Sequence, residues 1–174
     1  MTKRPIVHSQ QPTAAKVWHL LTEVEDPEVP VLSILDLGIV RGVKVADDGH
    51  ITVTITPTYS GCPAMSAIAT DIRLRLLAEG YTQVTISTQL SPAWTTDWLT
   101  AAGRRKLEEY GIAAPIPGTA TGHELRLFGQ ETAVRCPQCQ STNTRLLNQF
   151  GSTACKALYQ CQDCREPFDY FKCH

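Results

Sequence analysis

What this chain lacks excludes several classes of protein. No apolar run approaches the length of a membrane span. Neither sign of charge predominates, with Lys and Arg totalling 16 against 17 Asp and Glu, which argues against a general binder of nucleic acid or of an anionic membrane surface. The first residues do not follow the basic-then-apolar layout of a signal peptide, so a cytoplasmic location is expected. There is no Gly-rich dinucleotide fingerprint and no pair of Glu-x-x-His motifs of the kind that holds a di-iron centre. No internal repeat is visible. His8, His19, His50 and His123 show no ligand spacing and read as surface or structural residues. Up to residue 135 the only cysteine is Cys62.

Cysteine is instead concentrated at the other end, where six of the seven residues lie. An odd count in a reducing compartment points to metal or redox chemistry rather than to a disulfide framework. Cys136-Pro137-Gln138-Cys139 and Cys161-Gln162-Asp163-Cys164 are two Cys-x-x-Cys knuckles with 21 residues between them. Each can place two sulfurs on adjacent corners of a tetrahedron, so the four thiolates of Cys136, Cys139, Cys161 and Cys164 suit a closed, structural zinc site. A segment of this size builds too small a core to fold without such a staple. Residues 135–174 carry five basic and three acidic residues, and four thiolates on one divalent ion remove the excess. The module therefore lacks the footprint for phosphate binding. Leu158, Phe168, Tyr170 and Phe171 supply either a docking surface or its own small core.

Cys155 and Cys173 are left over. The segments on either side of the second knuckle read as a hairpin. If Cys161 pairs with Pro167, Cys155 faces Cys173 across it. Such a pair suits a redox-sensitive disulfide or, with His174, a second metal site; the alternative is two small residues filling space. A slip of one residue in register would separate the two cysteines.

The first two-thirds of the chain reads as helix, strand, strand, helix, strand. Val17, Leu20, Leu21 and Val24 recur at helical spacing after Thr13, a plausible cap, and Asp26-Pro27-Glu28-Val29-Pro30 ends that helix. Ile39–Val45 and His50–Thr56 read as strands joined by the turn Asp47-Asp48-Gly49. A helix from Pro63 closes at Gly80, Val84–Leu90 is a third strand, and Gly103–Tyr110 is a charged helical segment. The expected fold is α+β, a small sheet covered by helices over residues 1–110, then a linker over 111–134 and a zinc ribbon over 135–174.

Cys62 lies on the turn between the second strand and its helix, directly before Pro63, and reads as the N-cap. Unpaired backbone N–H groups and the helix dipole there favour thiolate, which makes Cys62 the cysteine placed to react or to bind metal. A small buried cysteine is the other reading. A thiol hydrolase would need a histidine base beside it, and none is placed nearby. Asp26, Glu28 and Asp36 lie in the preceding long loop. They either join Cys62 at one end of the sheet, where carboxylates and a thiolate suit iron or zinc, or serve as turn and capping residues.

Asp26-Pro27-Glu28-Val29-Pro30, then Ile34-Leu35-Asp36-Leu37-Gly38-Ile39-Val40, then Thr56 followed by Cys62-Pro63, resemble the metal–sulfur cluster biosynthesis domain of the SufT and cytosolic iron–sulfur targeting families. With Ser91-Pro92-Ala93-Trp94-Thr95-Thr96-Asp97-Trp98 and the ending from Phe150-Gly151-Ser152-Thr153-Ala154-Cys155 to Cys173, the chain from residue 12 onward is similar to the PaaD family, the D components of the phenylacetyl-CoA ring-1,2-epoxidase system. The resemblance implies an accessory role in aerobic phenylacetate degradation, beside the oxygenase and reductase subunits of a multicomponent monooxygenase. It implies an assembly factor that handles iron or an iron–sulfur cluster transiently and performs no epoxidation itself. Cys62 is then the cluster-handling thiol, with Asp26, Glu28 and Asp36 beside it. One thiolate per chain cannot satisfy a cluster that usually takes four, which motivates a homodimer or a partner protein. The competing expectation is a structural adaptor that docks the epoxidase components through its ribbon, with Cys62 only packing.

Overall fold

A computed structural model describes residues 11–118 and 134–172. Thr13 caps helix α1 (Ala14–Leu21), accepting the Lys16 N–H at 3.2 Å, and Val17, Leu20 and Leu21 form its buried stripe. The helix stops well before Pro27, and Val24 is buried in the turn that follows. Strands β1 (Val40–Val45) and β2 (Ile51–Ile55) pair antiparallel through the Gly49 turn, where φ is +84°. Helix α2 (Ala64–Ala78) then crosses over to β3 (Val84–Thr88), which runs parallel to β2. Gly80 at φ +89° ends α2 as expected: its N–H bonds the Leu77 carbonyl at 2.8 Å and the Tyr81 N–H bonds Leu76 at 3.1 Å, the paired bonds of a Schellman cap. Ile51, Val53 and Ile55 of the central strand and Ile68, Ile72 and Leu76 of α2 are all buried in one core.

A 3-10 turn (Thr96–Trp98) leads into α3 (Ala101–Glu109), capped by Thr100. Trp94 is buried here and donates its indole N–H to the Leu37 carbonyl at 2.8 Å, and the Arg41 guanidinium lies 3.5 Å from the centre of the Trp98 ring. The tryptophans thus pin the loop after β3 to the loop before β1. The ribbon is a second antiparallel sheet, ordered β4 (Thr144–Asn148), β5 (Lys156–Cys161) and β6 (Pro167–Phe171). The expected helix–strand–strand–helix–strand order followed by a ribbon is the observed one.

The two sheets share side chains. Phe171, at the end of β6, is 1% exposed inside the core of the first domain, edge-on to Trp94 with ring centres 6.2 Å apart. Cys155 belongs to that core as well, whereas Phe168 packs in a smaller cluster with Cys136 and Cys161. Ile112 and Ala113, at the start of the expected linker, are buried; Ala113 donates to the Asp169 carbonyl at 2.8 Å and accepts from the Phe171 N–H at 3.0 Å. Residues 119–133 of that segment, with His123, lie outside the described residues, as does His8. Of the other histidines, His50 contacts the Thr85 hydroxyl at 2.9 Å on the surface.

Gly38 tests the tryptophan joint. Its φ is +67°, and a β-carbon there would collide with the Trp98 carbonyl oxygen. Gly49 also has a positive φ, but a β-carbon there would meet only the Pro12 ring, at an ordinary contact distance of 3.9 Å. Gly38→Ala is expected to lose at least about 2 kcal/mol, from strained backbone plus overpacking, and Gly49→Ala about 1 kcal/mol from backbone alone. Denaturant midpoints measure the difference; equal losses would show that the Trp98 carbonyl yields.

Candidate functional site

The four ribbon cysteines converge. Their sulfurs all lie within 4.8 Å of one another, with Cys136–Cys164 at 3.8 Å and Cys139–Cys161 at 3.5 Å. A Zn–S bond of about 2.3 Å sets a tetrahedral edge of about 3.8 Å, so the donor set fits zinc. The two knuckles are built alike. In each, the residue after the second cysteine is left-handed, Gln140 at φ 64° and Arg165 at φ 67°. That twist aims the next backbone N–H back at sulfur, Ser141 at Cys139 and Glu166 at Cys164, and within the second knuckle the Cys164 and Asp163 N–H groups reach Cys161. Such donors favour thiolate, and Cys161 is held down to about 7, first by the Cys164 N–H. Cys164, in spite of its Glu166 donor, is pushed up to about 12 by burial and by the sulfurs around it. Asp163 ties the knuckles together, accepting from Ser141 and, at 2.7 Å, from the Asn143 amide.

The expected hairpin register is shifted by one residue. Gln160, not Cys161, stands opposite Pro167, because the left-handed Arg165 closes the knuckle early through a Cys161 N–H to Glu166 carbonyl bond of 3.0 Å. Cys155 is therefore opposite Lys172, whose N–H bonds its carbonyl at 2.9 Å. Cys173 and His174 lie outside the described residues.

Cys62 sits half-buried in the loop from β2 to α2. The N-cap of α2 is Pro63, so Cys62 stands one residue further out than its spacing suggested. Its sulfur still meets the Ala64 N–H and the Thr58 side chain. The expectation of a depressed thiol pKa is nonetheless corrected. Burial pushes it up, the two donors offset this only in part, and the charges of Glu28 and Asp26 add to the rise. At the root of the same loop the Thr56 hydroxyl is buried without a hydrogen-bond partner among the described residues.

The carboxylates divide. Asp26 is buried and caps its own turn, accepting the Glu28 and Val29 N–H groups at 2.8 Å each; burial raises its pKa and those donors hold it back. Glu28 faces the ribbon, where the Cys155 thiol donates to Oε2 at 3.3 Å and Lys156 Nζ donates to the Glu28 carbonyl at 3.3 Å. Asp36 is committed to α3. It accepts from Ser33 (N–H 3.0 Å, hydroxyl 2.9 Å), from the Thr100 hydroxyl at 3.3 Å and from Lys106 Nζ at 2.6 Å. Burial works against its charge, yet Lys106 and Ser33 hold its carboxyl below the usual range. Asp26 and Glu28 thus act on Cys62, while Asp36 braces the scaffold. One participant escaped sequence reasoning: Tyr59, whose hydroxyl is pushed up by burial and then by Cys62, Glu28 and Cys155. Cys155, which the sequence offered as half of a pair, meets Glu28, a partner that nothing in its spacing announced.

Two family models match the chain. That for an iron-sulfur cluster assembly protein covers residues 14–87, and that for the PaaD zinc beta ribbon domain covers 120–172. An Escherichia coli (strain K12) protein named as the D component of 1,2-phenylacetyl-CoA epoxidase is 49% identical over 93% of this chain and 94% of its own. A Porphyromonas gingivalis Fe-S protein maturation auxiliary factor is 36% identical over 50% of this chain and 83% of its own. Among solved structures, a domain of unknown function (DUF59) from Bacillus anthracis superimposes with a TM-score of 0.50 at 25% identity, covering 54% of this chain and 90% of that one.

Both kinds of cysteine can be tested directly. Freshly purified protein should contain one zinc per chain, and replacing any of Cys136, Cys139, Cys161 or Cys164 by serine should release it, read by elemental analysis. Full metal content in those variants would refute the assignment. Cys62 should alkylate with an apparent pKa above that of a free thiol. Removing a neighbouring negative charge lowers the cost of the thiolate, so Glu28→Gln should move the rate–pH profile to lower pH and speed alkylation at about pH 8. A profile unmoved by Glu28→Gln would mean that burial alone sets the reactivity.

Proposed function

The chain belongs to the PaaD family, the D components of phenylacetyl-CoA epoxidase systems, and from that premise we propose that it loads iron or an iron–sulfur cluster into the oxygenase or reductase of such a system. The observation that carries this reading is the position of Cys62. It lies inside the stretch matched by the iron-sulfur cluster assembly family, on a half-buried loop, where the charges of Glu28 and Asp26 act on its sulfur. A cation is attracted to such a place, and a thiolate is a ligand for iron.

The chain's own residues divide the work. Cys62 holds the cargo and Glu28 supplies negative charge and an oxygen ligand. Asp26 shapes the turn that presents Glu28, and Asp36 anchors that loop to α3. Zinc in the ribbon is structural: four thiolates fill its coordination and leave no position for chemistry. The cargo is iron or a cluster in transit, a substrate of the assembly step rather than a resident cofactor. The receiving protein or a second copy supplies the remaining ligands of a cluster.

The test is loading of the partner proteins. In cells carrying Cys62→Ser, the oxygenase and reductase should accumulate folded but with iron or iron–sulfur content lowered several-fold. Full content in that strain would sink the assembly reading and favour an adaptor that only docks the components.

A further inference from the structure

Cys155 is the one ribbon cysteine among the described residues that takes no part in the four-thiol site, and it is not placed as a surface thiol. It is 5% exposed and packs in the core of the first domain, the same core that Cys62 lies against. Its sulfur is 3.3 Å from Glu28 Oε2 and 3.1 Å from the Thr153 hydroxyl. Glu28 is held on both sides of its Cα: its N–H is bonded to Asp26 and its carbonyl accepts from Lys156. The turn that carries this carboxylate is therefore fixed against the ribbon, while the side chain keeps its rotational freedom. Glu28 and Asp26 are the charges felt by Cys62, the same two are felt by Cys155, and the Tyr59 hydroxyl feels Cys62, Glu28 and Cys155 together. The Cys155 thiol and the Glu28 carboxylate thus meet at the joint between the domain and the ribbon, and Cys62 packs against the same core from a third segment of the chain.

We propose that Cys62, Cys155 and Glu28 form a mixed sulfur–oxygen site for a thiophilic divalent metal ion, ferrous iron being the one that fits the assembly role above, on which this rests. Two thiolates and a carboxylate make a donor set of borderline softness, suited to iron or zinc and poor for magnesium or calcium. Three protein ligands leave a tetrahedral position open, as in metal sites that exchange ligands, whereas the four ribbon thiols close theirs. An open position is what a donor needs in order to pass its ion on. The Cys62, Glu28 and Cys155 donor atoms do not lie within 4.8 Å of one another as the ribbon sulfurs do. Binding therefore requires rotation of the Cys62 and Glu28 side chains, within reach of a half-buried loop and a side chain on a fixed turn. The step is a ligand exchange without redox change. The ion replaces one proton on each thiol, both protons pass to solvent, and the ion sheds bound water for two sulfurs and one carboxylate oxygen.

Cobalt(II) alone, added without oxygen to the zinc-loaded full chain, is the probe. One cobalt per chain should bind while zinc stays in the ribbon, with sulfur-to-cobalt charge-transfer absorption. Cys62→Ser and Cys155→Ser should each remove about half of that absorption and weaken binding about 10-fold or more. Glu28→Gln should weaken binding by a similar factor and keep the absorption. Because Cys155 is buried and its variant can misfold, X-ray absorption of the cobalt in the unaltered protein gives a second reading: two sulfur neighbours are expected. A single sulfur neighbour, or a Cys155→Ser protein that binds cobalt as the parent does, overturns the assignment of Cys155 and leaves the role of Cys62 standing. No cobalt beyond what displaces zinc overturns the site itself. Failure of the assembly role is read separately, in the iron content of the partner proteins.

Discussion

Phe171 carries its ring out of the ribbon and into the core of the first domain, and much of the molecule depends on that one burial. A fully buried phenylalanine contributes about 2–3 kcal/mol through removal of its surface from water, and its edge-on contact with Trp94 adds to that. The ring is the last residue of β6, so its position follows from the register of the hairpin, and the register follows from the zinc knuckle that closes it. Metal binding at Cys161 and Cys164 is thereby linked to a packing contact in another domain. The same strand pair delivers Cys155 to Glu28, since the Lys172 N–H next to Phe171 holds the Cys155 carbonyl. A metal ion bound at one end of the ribbon would thereby hold a thiol in place at the other.

The electrostatics of the Cys62 loop favour one kind of chemistry over another. A nucleophilic cysteine needs a thiolate at neutral pH, made by helix N–H groups or a nearby cation. Here burial and two carboxylates oppose the thiolate and outweigh the Ala64 and Thr58 donors. The same carboxylates that hold the proton on sulfur attract a divalent cation, and a cation that replaces the proton converts their repulsion into attraction. The environment penalises an isolated negative charge on sulfur and rewards a metal-bound one. This distinguishes a ligand cysteine from a catalytic one on physical grounds, without appeal to the loop's position in the chain.

Features set by short-range chemistry were legible in the sequence, and those set by distant partners were not. The Thr13 cap, the Gly49 turn, the Gly80 helix end and both Cys-x-x-Cys knuckles each depend on a few neighbouring residues, and each is where the spacing placed it. The hairpin register failed because it turns on a left-handed arginine, a conformation that composition does not announce. Asp36 reads as a site carboxylate until its partner Lys106 is seen 70 positions later, and Cys155 meets Glu28 across 127 positions. Likewise nothing local shows that Ile112 and Ala113, in a stretch rich in proline and glycine, are buried beside β6. The expectation for Cys62 was sound in kind, since backbone N–H groups do reach its sulfur, and wrong in sign, because burial is a property of the whole fold.

The two cysteine sites differ in the property that decides what a metal does at each. In the ribbon, four sulfurs lie at nearly the edge length of a zinc tetrahedron, backbone N–H groups already aim at three of them, and Asp163 braces both knuckles. Such a site is preorganised, so little is lost on binding and the ion is retained. At the domain joint the donors come from a half-buried loop and two turns, the second leading into β5, with a protonated thiol on two of them and a Coulombic field that invites a cation. Binding there must displace protons and rotate side chains, which lowers affinity and keeps exchange feasible. A carrier of the kind proposed could not release cargo held as firmly as four thiolates hold zinc. On that proposal, separating the two sites within one chain lets the first be permanent while the second stays exchangeable.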